Sequence, residues 1–109
     1  MAFHIEKRED HQVIVHAGTI LIIGDPSFRE FEECLYTNAR KGIKQVIIDF
    51  SECIYLDSNA IRVIISVNRR LKASGGLLQI QNANQEISEL LHTIQLNRII
   101  EMVKTDRSQ

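Results

Sequence analysis

Val46-Ile47-Ile48-Asp49-Phe50-Ser51-Glu52-Cys53-Ile54-Tyr55-Leu56-Asp57-Ser58-Asn59-Ala60-Ile61 decides the architecture of this chain. The stretch grows out of a short, continuous apolar run, Gln45 to Phe50, rich in β-branched residues. Such a run predicts a strand buried on both faces. Ser51 to Leu56 reads as a loop, and a helical period begins near Asn59 and lasts to Ala73. Ile61, Ile64, Ile65 and Leu71 then form a wide apolar face.

The same alternation holds on both sides of this stretch. Upstream, Val13-Ile14-Val15 and Ile20-Leu21-Ile22-Ile23 read as strands separated by a bend at Ala17-Gly18-Thr19. The strand region starts near Phe3, with an earlier turn over Lys7 to Asp10 and His11. Gly24-Asp25-Pro26 predicts a helix start, because Asp25 caps free N–H groups and Pro26 suits the first helical position. Phe28, Phe31 and Leu35 supply its stripe, and Arg40-Lys41-Gly42 closes it. Downstream, Ser74-Gly75-Gly76 ends a helix and Leu77 to Gln81 reads as a strand. Asn82-Ala83-Asn84 caps a third helix carrying Ile87, Leu90 and Leu91, and Leu96, Ile99 and Ile100 predict a short fourth. Two strand–helix–strand crossovers imply an α/β domain whose sheet is partly parallel.

Composition sets the bounds. At 109 residues, 44% hydrophobic and 25% charged, the sequence fits one domain, 1–109, with a polar tail from about 104 expected to fray. A formal net charge of -1 lacks the basic excess of a sequence-neutral nucleic-acid binder, so no nucleic-acid partner is expected. No apolar run nears the roughly 20 residues that cross a bilayer, and no membrane association is expected. The start, Met1-Ala2-Phe3-His4-Ile5-Glu6, has no basic segment before an apolar one, so the expected compartment is the cytoplasm.

Metal and catalytic motifs are sparse. His4, His11, His16 and His92 have no ligand spacing, and Cys34 and Cys53 form no CxxC pair. Cys53 follows an acidic residue, Glu52, which raises a thiol pKa rather than activating it. Gly75-Gly76 follows a helix and precedes a strand, the wrong order for a phosphate loop. The expectation is therefore no enzyme, no cofactor and no metal.

The junction Leu56-Asp57-Ser58-Asn59-Ala60 stands apart, since it lies between a buried strand and a helix start. Ligands and partners of α/β sheets meet the fold at such an edge. A helix start there favours phosphate. An ordinary N-cap at Asp57 or Ser58 explains the same residues, and spacing alone does not choose between the two.

The segment Val46 to Ile61 resembles the signature of STAS domains, in particular bacterial anti-sigma factor antagonists. Their pattern is an apolar strand, a short loop, and Asp-Ser-Ser/Thr-Gly-Leu at a helix start. Here it stands as Asp57-Ser58-Asn59-Ala60-Ile61. The likeness continues through Gly75-Gly76, the asparagine loop, Leu90-Leu91, Leu96 and Ile99. It implies a STAS fold, a mixed central β-sheet with about four helices packed mainly on one face.

The resemblance further implies a partner switch. The unphosphorylated domain binds a GHKL-type serine kinase that is also an anti-sigma factor, phosphorylation of Ser58 releases it, and a PP2C-type phosphatase resets the switch. Asp25, Asp57, Ser58, Asn59, Ala60, Ile61 and Arg62 are the expected partner-binding residues. Asn59, Ala60 and Arg62 depart from the family pattern, as does Gly18-Thr19-Ile20-Leu21 where Gly-Glu-x-Asp is common. These departures leave open an alternative, a STAS scaffold or binding module with another partner and no phosphate cycle. Arg62 stands four residues after Ser58 on one helical face, placed either to meet a phosphate or simply to be solvated. A homodimer, with Ile54 and Tyr55 as contact residues, also stays open.

Overall fold

The computed structural model describes residues 4–9 and 11–104, and for 4–9 only the backbone. The chain runs β1 (His4–Glu9), β2 (Gln12–His16), β3 (Ile20–Leu21), α1 (Pro26–Arg40), β4 (Gln45–Asp49), β5 (Tyr55–Leu56), α2 (Ser58–Ala73), β6 (Leu77–Gln81) and α3 (Gln85–Thr93). A 3-10 turn (Leu96–Arg98) and β7 (Glu101–Val103) follow.

The main sheet has the order β1-β2-β4-β6-β7, antiparallel between β1 and β2 and parallel elsewhere. The architecture is therefore the mixed α/β one that the alternation implied, with three α-helices and a 3-10 turn in place of about four helices. Register explains why one face is apolar. Val13 and Val15 of β2 stand opposite Val46 and Ile48 of β4, which stand opposite Leu78 and Ile80 of β6. All six belong to the core that α1, α2 and α3 cover with Phe28, Phe31, Leu35, Ile64, Leu71, Ile87 and Leu91. Each large apolar side chain buried there contributes about 1.5–3 kcal/mol.

The opposite face alternates with it. Ile14 and Ile47 are buried between glutamines, with Gln12 Nε2 donating to Gln45 Oε1 at 2.6 Å and Gln79 Nε2 to Glu101 Oε1 at 3.0 Å. The helices thus crowd one side of the sheet. Gly76 lets the chain pass from α2 into β6. A Cβ there would meet the Ile43 and Lys44 carbonyl oxygens and Leu71 Cδ2, each at 3.2 Å.

Several expectations shift. The short fourth helix is a single 3-10 turn after which the chain extends as β7. Leu96 and Ile100 do turn inward as helical spacing requires, but Ile99 is exposed and Met102 pairs with Ile80 across the sheet. In the Ser51–Leu56 loop, Tyr55–Leu56 forms a strand because Ile20–Leu21 offers it a parallel partner, making a separate two-stranded ladder. Ile22 and Ile23 lie beyond that ladder. The expected turn over residues 7–10 is strand through Glu9, with a register shift between Lys7 and Glu9. Phe3, Asp10 and the tail beyond 104 fall outside the described residues.

On α2 the buried face is Ala60, Val63, Ile64, Val67, Asn68 and Leu71, while Ile61 and Ile65 are only partly buried. The helix lies against both α1 and β6, which this face meets. No helix among the described residues is long and apolar enough to cross a membrane.

Candidate functional site

Residues 56–62 form the junction singled out by the sequence. Asp57 holds extended backbone angles (φ -105°, ψ 179°) and is the N-cap of α2, its Oδ1 accepting the Ala60 N–H at 3.0 Å. Its Oδ2 accepts the Ile23 N–H at 3.0 Å and Asn59 Nδ2 at 3.3 Å. The Asp57 N–H in turn donates to the Leu21 carbonyl at 3.0 Å. One side chain thereby caps a helix and ties its start to the end of β3. Partial desolvation opposes charge on Asp57, but the hydrogen bonds from Ile23, Ala60 and Asn59 outweigh it and hold the carboxyl below the usual carboxylate range.

Ser58 is the first residue of α2 and is exposed. Among the described residues its hydroxyl has no hydrogen-bond partner, since Asp57 has taken the capping role. Asn59 bridges its neighbours, donating to Asp57 and accepting from Arg62 Nη1 at 3.1 Å. Ser58, Ile61 and Arg62 line one surface hollow of about 340 Å³ together with Ile65, Ser66 and Arg69.

Two expected site residues sit elsewhere. Ala60 is fully buried (0% exposed), so its methyl belongs to the core and only its N–H serves the junction. Asp25 caps α1, and the Ser27 hydroxyl and amide hold its carboxyl below the usual range. It lines a separate hollow with Ile23, Pro26 and Arg29. Ile23 joins the two places, being beside Asp25's hollow and bonded to Asp57.

Sequence reading did not single out the apolar surface next to Asp57 as a whole. Ile20 and Tyr55 are paired across the β3–β5 ladder, and with Ile23 and Ile54 they are exposed by 40% to 61%. Ile54 and Tyr55 were visible as loop apolars; Ile20 and Ile23 looked like strand core. Ile65 and Arg69 were missed too, although they follow Ser58 by 7 and 11 residues, the spacing of one helical face.

The thiols are placed for packing. Burial pushes Cys34 up to about 11 and Cys53 above its ordinary value, the opposite of what a thiolate nucleophile needs. Among the described residues no group of three or more His, Cys, Asp or Glu side chains is placed to hold a metal.

A family model described as STAS domain matches residues 3–108. No curated protein gives a significant sequence match. Solved structures are similar in fold. The Thermotoga maritima protein tm1081 gives a TM-score of 0.83 at 23% identity, covering 94% of this chain and 86% of that one. The Bacillus cell fate determinant SpoIIAA in its phosphorylated form gives 0.78 at 17%, covering 97% and 93%. An anti-sigma factor antagonist from Mycobacterium paratuberculosis gives 0.79 at 14%, covering 95% and 86%.

Proposed function

The chain belongs to the STAS domain family, and from that premise we propose that it is a partner-switch protein of the anti-sigma factor antagonist kind, whose switch residue is Ser58. The observation that carries the reading is the division of labour at the start of α2. Asp57 supplies the cap, which leaves the Ser58 hydroxyl exposed and unbonded among the described residues on a rigid helical turn.

In this reading the unphosphorylated domain binds a GHKL-type serine kinase that doubles as an anti-sigma factor. Ser58, Asn59, Ile61 and Arg62 meet the kinase, Asp57 holds the turn in shape, and Asp25 lies at the edge. The kinase supplies ATP and the metal. The Ser58 hydroxyl attacks the γ-phosphorus, its proton passes to a kinase base, and ADP leaves. The phosphoserine carries about -1.5 to -2 charges near neutral pH, more than one neighbouring arginine neutralises, and the excess repels carboxylates brought to the interface. The complex dissociates, and a PP2C-type phosphatase restores the hydroxyl by hydrolysis. This cycle belongs in the cytoplasm and regulates transcription.

Mixing the purified chain with ATP and the GHKL kinases of its genome tests the proposal, with intact mass and peptide mapping as readouts. One phosphate on Ser58 is the expected result. A stable kinase complex with no phosphate would replace the switch with a scaffold. Phosphate on another residue would remove Ser58 from the mechanism.

A further inference from the structure

We infer that the exposed face of α2 is a docking strip for an acidic amphipathic helix on the partner, with Ile61 and Ile65 as the apolar contacts and Arg62 and Arg69 as the charged ones. The inference rests on the reading of this domain as a protein-binding module and names the chemistry of what it binds.

Charge distribution is the first support. The chain has a formal net charge of -1, yet α2 holds Arg62, Arg69, Arg70 and Lys72 and no acidic residue. Among the described residues none of these cations forms an ion pair with a carboxylate. Arg62 bonds to a neutral amide, Asn59, and Arg70 lies over the Tyr36 ring at 5.7 Å. Arg69 has no hydrogen-bond or ion-pair partner among the described residues. A cationic strip without counter-charges among the described residues is complementary to carboxylates.

Shape is the second support. Ser58, Arg62, Ile65 and Arg69 follow one another at four, three and four residues, so they share a face. The hollow over that face is about 340 Å³, and the partly buried Ile61 and Ile65 form its apolar floor. Apolar side chains between two arginines fit the apolar stripe of a helix flanked by glutamates. Ser58 stands at the head of this strip, so a phosphate there would cancel part of its positive charge and repel the incoming carboxylates together.

The test uses two synthetic amphipathic helices, identical in their leucines and flanked by glutamates or by lysines. Each is titrated into the isotope-labelled chain and followed through backbone amide signals. The glutamate helix should shift the signals of residues 61–69, with binding that weakens as added salt shortens the Debye length below about 8 Å. The lysine helix should not bind. Arg69→Glu should weaken binding about tenfold, because it turns an attraction into a repulsion. Arg40→Glu, an equal charge change at the end of α1, should leave it unchanged, and the same spectra report whether each variant is folded.

Equal binding of both helices, shifts confined to another face, or no binding of the glutamate helix at millimolar concentration would overturn the inference. So would tighter binding of an RNA hairpin or of phosphatidylglycerol vesicles, which would assign the strip to phosphates. The outcome separates from that of the kinase experiment. Shifts on α2 without Ser58 phosphorylation would keep the strip and sink the switch; phosphorylation without shifts would do the reverse.

Discussion

Oδ2 of Asp57 accepts the backbone N–H of Ile23 at 3.0 Å, joining two residues 34 positions apart. The same carboxylate caps α2 through Ala60. Asp57→Ala removes both of these bonds and the one from Asn59, and should destabilise the domain by roughly 1–2 kcal/mol. Asp57→Asn, which keeps an acceptor oxygen, should cost less. Urea unfolding midpoints for the two variants check the order, and an Ala variant as stable as the parent would deny Asp57 its structural role.

The pH dependence has a definite sign. Asp57 is held below its ordinary value in the folded state, so its contribution is complete above the unfolded carboxylate pKa of about 3.9. It is lost as pH falls from there through the lower folded value. Unfolding midpoints measured from pH 7 down to pH 3 should fall less steeply in Asp57→Asn than in the parent. Parallel curves would show that other carboxylates carry the acid sensitivity.

Thiol reactivity gives a check on the core. Cys34 is buried and pushed up to about 11, and Cys53 is buried and raised as well. At pH 8 an aromatic disulfide reagent should label neither at an appreciable rate in the folded domain and both in urea. Rapid labelling of one thiol in the native protein would place that cysteine in an open environment.

Gly76 is a position of close approach. Gly76→Ala puts a methyl 3.2 Å from two carbonyl oxygens and from Leu71 Cδ2, and should destabilise by about 1–3 kcal/mol. A neutral substitution, measured by thermal or urea unfolding, would mean that the α2–β6 connection yields more easily than its contacts indicate.

For the switch, Ser58→Ala should retain kinase binding and accept no phosphate. Ser58→Asp should weaken binding about tenfold if charge at the start of α2 breaks the complex. Calorimetry with the kinase identified by the phosphorylation experiment reads both. Unchanged affinity of the Asp variant would remove charge from the mechanism, and loss of binding by a folded Ala variant would make the hydroxyl a direct contact.

What the sequence showed, and what it hid, follow from the range of the forces involved. Phe28, Phe31 and Leu35 declared α1, and Asp25 its cap, because helical spacing and capping are local. The Val46-Ile47-Ile48 run declared a central strand for the same reason. The Ile20-Leu21 run declared β3, but β5 and β7 are two- and three-residue strands that exist through partners far along the chain, so no local pattern marks them. At the start of α2, the Asp57 cap was legible from the motif. The Ile23 link was not, because a backbone N–H leaves no trace in residue identity. Hydrophobicity put Ile61 and Ile65 on one apolar face with Ile64 and Leu71, yet α2 buries Ile64 and Leu71 and leaves the other two partly buried at the rim.

The Asp57–Ile23 bond also sets when the site comes into being. Its two halves lie on opposite sides of α1 in the chain, so the ends of a 34-residue loop must meet before it closes. A nascent or partly unfolded chain therefore does not display Ser58 on its finished turn. Under the proposed switch, a kinase that reads that turn would act as an inspector of completed folding, and only molecules that had passed inspection would enter the regulatory pool.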